Sequence, residues 1–211
     1  MLVELMAEVR DHLPEGGDWC SLEKAQTLAS LVAGLRPRVV LEIGVWMGGS
    51  LVPMAIALRV LGELDAAARR EVVPRRAIAV DPWSAAESCA DQTPIDAAWW
   101  RSVDHDAALA RFTTRVAKHR LTSLVEVVRC PSDRAPVPPS IDLLHVDGNH
   151  ADQARRDVER FAPSVPPGGI LVLDDLDWSG AHVRRGHDLA IALGFRDLFP
   201  LGCGVVMQRA K

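Results

Sequence analysis

The sequence predicts an α/β protein: an open, mostly parallel sheet, doubly wound, with crossover helices on both faces. Short β-branched runs alternate along the chain with longer segments of helical period, as a succession of strand and crossover helix requires. The runs are apolar throughout instead of alternating, which suits strands covered on both sides. Glycines and acids then gather just after several runs, where an open parallel sheet binds its ligands.

The elements follow in order. Residues 1–37 form an N-terminal helical segment of a single domain spanning 1–211, a length and an apolar share (48%) that suit one sizeable core. Arg38 to Ile43 (RVVLEI) reads as the first strand, followed by a glycine-bearing loop and a helix through about Leu64. Ala77 to Val80, Leu124 to Arg129, Ile141 to Val146 and Ile170 to Leu173 supply the next strands. Ala151 to Phe161 is a charged amphipathic helix whose Arg155, Arg156, Asp157, Glu159 and Arg160 read as solvated surface. PPGG at Pro166 to Gly169 turns the chain back, and a helix from roughly Ala181 to Leu193 leads to a closing strand, Gly204 to Gln208. Trp83 to about Trp100 is the least regular stretch; it suits a mobile cover over a site, or a loop packed down for stability.

Composition excludes some partners. A net charge of −4 and a pI near 6.0 offer no basic field for nucleic acid, so a small neutral or cationic ligand fits better. Cys20, Cys89, Cys130 and Cys203 are scattered without a CxxC pair, which points to reduced thiols and the cytoplasm. The N-terminus lacks the basic start and long apolar middle of a secretion signal. The most apolar helical candidate, Leu51 to Leu64, contains Pro53, Arg59 and Glu63 and is too short to span a bilayer, so no membrane partner is expected.

The strand ends carry the chemistry. The first gives LEIGVWMGGS, where Glu42, Gly44, Gly48, Gly49 and Ser50 could let backbone approach a ligand ahead of a helix N-terminus, or simply form a turn. The second ends in Asp81 (AVDPWS), placed to accept hydrogen bonds from ribose hydroxyls or to cap the turn before Pro82. Ser132 and Asp133 follow the third and could meet an adenine edge or serve as caps. The fourth ends at Asp147 and the fifth at Asp174 and Asp175. Carboxylates gathered from neighbouring strand ends repel unless a cation or protons lie between them. A hard divalent ion satisfies all three, with magnesium, manganese and calcium each suited to oxygen ligands. The other reading is that Asp174 and Asp175 cap the next helix. His150 lies within reach of Asp147 as a base for a substrate hydroxyl, or as a helix-start residue. His145, inside the strand, reads as packed. Trp46, Trp99, Trp100 and Trp178 suit an aromatic acceptor pocket, core packing or a subunit contact.

Together VVLEIGVWMGGS, AVDPW, IDLLHVDGNH and PPGGILVLDD resemble the class I S-adenosylmethionine-dependent methyltransferases, from about Val39 to Asp175. Within that family they are most like the metal-dependent small-molecule O-methyltransferases, including the macrocin-type sugar O-methyltransferases. The resemblance implies a Rossmann-like sheet of seven strands with the last antiparallel. It also implies magnesium on Asp147, Asp174 and Asp175, His150 as base beside Asp147, and a cofactor site of Glu42, Gly44, Gly48, Ser50, Asp81, Asp147 and Trp83 or Ser132. A small hydroxylated substrate is the partner it suggests, and the sequence leaves open both a homo-oligomer and a single chain. Three other readings remain: a metal-free methyltransferase acting on another atom, a nicotinamide oxidoreductase, and a non-catalytic binding module. The glycine spacing at 44, 48 and 49 does not match the dinucleotide fingerprint GxGxxG.

Overall fold

A computed structural model describes residues 2–13, 19–178 and 182–211. Helices α1 (Leu2–His12) and α2 (Leu22–Leu35) precede strand β1 (Val39–Ile43), helix α3 (Leu51–Ala67) and strand β2 (Arg76–Val80). Helices α4 (Ala85–Ser88), α5 (Pro94–Ser102) and α6 (His105–Lys118) then lead to β3 (Val125–Val128) and β4 (Leu143–Val146). The chain finishes with α7 (Gln153–Phe161), β5 (Ile170–Leu173), α8 (His182–Ala192), β6 (Phe195–Leu201) and β7 (Gly204–Arg209). Ala181, the expected start of the last helix, lies outside the described residues, as do Met1 and 14–18 of the N-terminal segment. No helix among the described residues is long and apolar enough to cross a membrane.

The seven strands form one sheet in the order β3-β2-β1-β4-β5-β7-β6. Pairings among β1 to β5 are parallel, and β7 runs antiparallel to both its neighbours. Strand order therefore reverses between β1 and β4, the place where such sheets open a crevice for ligands. Register brings the chemistry together there. Ile43 pairs with Val80 and with Val146, and Val146 pairs with Leu173, so Gly44, Asp81, Asp147 and Asp174 leave four adjacent strands side by side.

Side chains alternate across the sheet and divide the core in two. Val40, Ala77, Ala79, Leu143 and Val172 face the layer of α1, α2, α3 and α6. Leu41, Ile43, Ile78, Leu144, Val146 and Leu171 face the layer of α7 and α8. The same alternation turns Glu42 and His145 toward the α2 side, a point that matters for the site.

Three expectations change. β3 is an edge strand with Glu126 exposed, because among the described residues only β2 pairs with it. β6 was not legible as a strand: Arg196, Asp197 and Pro200 break its apolar pattern, which an exposed edge tolerates. The stretch from Trp83 to Trp100 is largely helical. Thr93 caps α5 by accepting from Asp96 N, with Pro94 at the start of the helix, and these local signals outweigh the polar composition.

Gly44 shows how closely β1 and β4 approach at their ends. It has φ of +84°, and a Cβ there would fall 2.1 Å from the carbonyl oxygen of Asp147. We expect Gly44→Ala to lose about 3 kcal/mol or more of stability, since both backbone strain and a clash with main chain oppose it. Gly62, inside α3 with nothing near its missing Cβ, sets the contrast. Gly62→Ala should gain about 0.5–1 kcal/mol. Urea denaturation of the two variants checks both signs.

Candidate active site

A cavity of about 720 Å³ opens at the β1/β4 switch point. Its wall includes Gly44, Gly49, Ser50, Asp81, Ser132, Asp133, Asp147, His150, Asp174 and Asp175. The expected acids all line this cavity and approach one another in pairs. Ligand atoms of Asp147, His150 and Asp175, one from each, lie within 4.8 Å of one another, as do those of His145, Asp147 and Asp174, and those of Asp174, Asp175 and Cys203, the last through its sulfur.

A lysine sits among them. Lys24, three residues past the cap of α2, places Nζ 3.0 Å from Asp147 Oδ2 and in direct contact with Asp174 Oδ2. Its side chain is 8% exposed. Burial works to lower the pKa of its ammonium, but Asp147, Cys20 and Glu42 together hold it above the ordinary lysine value. Asp175 turns the other way, with a left-handed φ of +53°. Its Oδ2 lies 2.7 Å from His150 Nε2, and its Oδ1 accepts from the Cys203 thiol at 2.9 Å. The His150 ring holds the Asp175 carboxyl down at about 2 against the opposing effect of burial. Trp178 tilts over His150 with ring centroids 4.3 Å apart.

Beneath the acids runs a buried polar chain. Ser50 Oγ donates to Glu42 Oε1 at 2.6 Å, and His145 Nδ1 lies 3.1 Å from Glu42 Oε2. Both Glu42 and His145 are fully buried. Burial pushes the Glu42 carboxyl up to about 8, with Ser50 and Lys24 pulling against it. Burial, aided by the charge of Lys24, lowers His145 to about 3. At neutral pH the two are therefore a protonated acid beside a neutral imidazole, a support rather than an ion pair.

At the other end of the cavity, both Asp81 oxygens are engaged by backbone. Oδ2 accepts from Trp46 N at 2.9 Å and Oδ1 from Trp83 N at 2.7 Å. Burial raises the Asp81 pKa, opposed by those amides and that of Val45. A carboxylate has about four acceptor positions, so capacity is left for a ligand hydroxyl. Trp46 and Trp83 both have positive φ, 50° and 41°, and Asp81 is what pins them. Further along, Gln153 Nε2 lies 3.0 Å from Ser132 Oγ, 2.9 Å from Asp133 Oδ1 and 2.8 Å from Asp157 Oδ1.

Several expected residues are elsewhere. The Trp83 indole is buried, stacked on Phe112 at 5.6 Å and donating Nε1–H to Trp46 O, so it lies under the loop after β1 and not on the cavity wall. A Trp that can bury its whole ring and still satisfy its N–H goes inside. Gly48 turns against Phe112, where a Cβ would come within 2.6 Å of the ring, and Glu42 lies under the wall instead of on it. Asp157, expected as solvated surface, is 1% exposed, and burial raises its carboxyl to about 6. It shares the inward face of α7 with Ala154, Val158 and Phe161 at helical spacing.

Other residues went unread. Trp19 stacks on Trp46 at 5.4 Å and also meets Trp99 and Trp100, extending the aromatic wall across from Trp178. Lys24 had one signal: a cation in the first turn of a helix opposes the helix dipole, which is a reason to seek another role for it.

The raised Glu42 pKa has a stability consequence in the ligand-free protein. Between about 4.5 and about 8 the folded state holds a proton that the unfolded state has released, so stability falls as pH rises through that window. Glu42→Gln, which keeps the acceptor for Ser50, should remove this fall. The urea midpoint of the parent should drop relative to that of the variant from pH 5 to pH 8, at up to about 1.4 kcal/mol per pH unit. Parallel profiles would mean that Glu42 is already ionised when folded.

The methyltransferase domain family matches residues 41–176, which takes in every strand end from Gly44 to Asp175. Among solved structures, the O-methyltransferase TomG from Streptomyces achromogenes, involved in tomaymycin synthesis and in complex with SAM, aligns with a TM-score of 0.63 and 16% identity over 99% of this chain and 90% of that one. The O-methyltransferase from Bacillus cereus in complex with SAH aligns with a TM-score of 0.60 and 16% identity over 100% of this chain and 90% of its own. The O-methyltransferase NovP gives 0.65 and 17% over 90% of this chain and 81% of that one. No curated protein matches the sequence significantly. Likeness at such identities is likeness of fold, whereas the family match spans most of the sheet and its site: the chain belongs to the methyltransferase domain family and is a methyltransferase.

Proposed function

We propose that the protein transfers a methyl group from S-adenosylmethionine to a hydroxyl of a small metabolite, with a divalent cation, magnesium by preference, on Asp147, Asp174 and Asp175. The observation that carries this reading is the convergence of the three acids and His150 on one cavity at the sheet's switch point. The residues offer such an ion two acids at a time, Asp147 and Asp174 beside His145, Asp147 and Asp175 beside His150, and Asp174 and Asp175 beside Cys203, and the Lys24 ammonium between Asp147 and Asp174 marks a place that takes positive charge. When bound, magnesium would orient the acceptor oxygen and lower its pKa.

The cofactor's residues also fit their roles. S-adenosylmethionine, when bound, supplies an electrophilic methyl group. Gly44, Gly49 and Ser50 line the cavity at the start of α3 and offer close backbone approach. Asp81 would accept from the ribose hydroxyls with its remaining acceptor capacity, and Ser132 with Asp133 would meet the adenine edge. His150 would take the hydroxyl proton of the acceptor, and Asp175 beside its Nε2 orients the ring. Trp19, Trp46, Trp99 and Trp100 on one side and Trp178 on the other give the acceptor apolar faces to lie against. The four cysteines, none of which forms a disulfide among the described residues, accord with a cytoplasmic setting.

One observation favours a second reading. Lys24 already balances Asp147 and Asp174, which would let the site work without a metal ion and methylate a different atom. Chelation separates the two. With a panel of phenolic, sugar and amino-acid hydroxyls and S-adenosylhomocysteine release as the signal, EDTA should abolish turnover and magnesium restore it. Full activity in EDTA would establish the metal-free reading instead.

His150→Ala should lower kcat by about 10²–10⁴-fold. Its S-adenosylmethionine affinity should stay within about threefold of the parent, because the base acts on the acceptor. An unchanged kcat would remove His150 from the chemistry.

A further inference from the structure

We propose that Lys24 is a built-in counter-cation of the acidic site: it holds Asp147 and Asp174 together before a divalent ion arrives, and it weakens that ion's binding by competing for the same oxygens. This rests on reading Asp147, Asp174 and Asp175 as metal ligands.

The placement is specific. Alternation along the strands turns the face with Glu42 and His145 toward α2, and Asp174 follows β5 on that same face. α2 starts directly above them, with Ser21 as its cap. From there the Lys24 stem reaches down between the ends of β4 and β5, and its Nζ contacts one oxygen from each.

Nothing local explains the residue. The first turn of a helix disfavours a cation, and a buried lysine loses both rotamer freedom and hydration. The acids repay those costs. Their ends are fixed by parallel pairing, so two carboxylates on neighbouring strands would repel with no freedom to separate.

Charge arithmetic gives the functional consequence. Asp147, Asp174 and Asp175 together carry three negative charges when ionised, and one lysine brings the set to two, matched to a divalent cation. Removing the lysine leaves a stronger trap for the ion. Lys24 is thus a positioning residue that sets how readily the ion enters and leaves.

Calorimetric titration of Mn²⁺ into the full-length protein saturated with S-adenosylhomocysteine tests this in the parent, Lys24→Met and Lys24→Arg. Lys24→Met should bind Mn²⁺ tighter by on the order of tenfold or more, since a nearby unit charge has been removed. Lys24→Arg, which keeps that charge, should stay near the parent. A folded Lys24→Met with parent-like or weaker affinity overturns the proposal while leaving the metal site standing. If Lys24→Met does not fold alone, recovery of its melting transition in Mn²⁺ supports the proposal, and failure to recover overturns it. A parent protein that takes up no Mn²⁺ overturns the metal reading itself, and this inference with it.

Discussion

Repulsion among carboxylates at the ends of β4 and β5 is the constraint around which this molecule is arranged. Parallel strands lie about 4.8 Å apart, and the pairing of Val146 with Leu173 leaves Asp147 and Asp174 as neighbours with no route apart. Positive charge must come to them. The chain brings Lys24 from α2, while Asp175, on a left-handed backbone turn, takes partners of its own in His150 and Cys203. The N-terminal helices are thereby tied to the chemistry: α2 closes one layer of the core and also delivers a cation to the site.

A second constraint acts at the Asp81 end of the cavity. Two tryptophans held at positive φ are costly, and a single carboxylate, Asp81, accepts from both of their backbone amides. This joins the loop after β1 to the loop after β2. The buried Trp83 ring beneath, stacked on Phe112, gives the loop a firm floor. Catalytic geometry depends on such support, because a reacting group must be held to a fraction of an ångström. The buried chain of Ser50, Glu42 and His145 serves the acids in the same way, as neutral scaffolding without a competing charge.

Much of this was legible in the residues. Uninterrupted apolar runs named the central strands, since a strand covered on both faces has no reason to alternate. The acids at their ends could be read as one site, because parallel strands in a doubly wound sheet deliver their carboxyl ends to the same edge. Edge strands were harder: β6 carries Arg196, Asp197 and Pro200, and an edge imposes little on side-chain type. Trp83 and Asp157 were misread for a related reason. Residue type shows what a side chain prefers, while inside or outside depends on which way a loop or helix turns.

The sequence by itself determined the layer architecture, the order of the strands' chemistry and the identity of the acids, because period and strand-end composition are local properties. Tertiary structure alone decided that Lys24, more than a hundred residues from Asp147, would lie between Asp147 and Asp174, that Trp19 would complete the aromatic wall, and that Asp81 would brace two strained turns. Those outcomes rest on helix docking and strand register. Both are set by the packing of the whole core, which no short stretch of residues encodes.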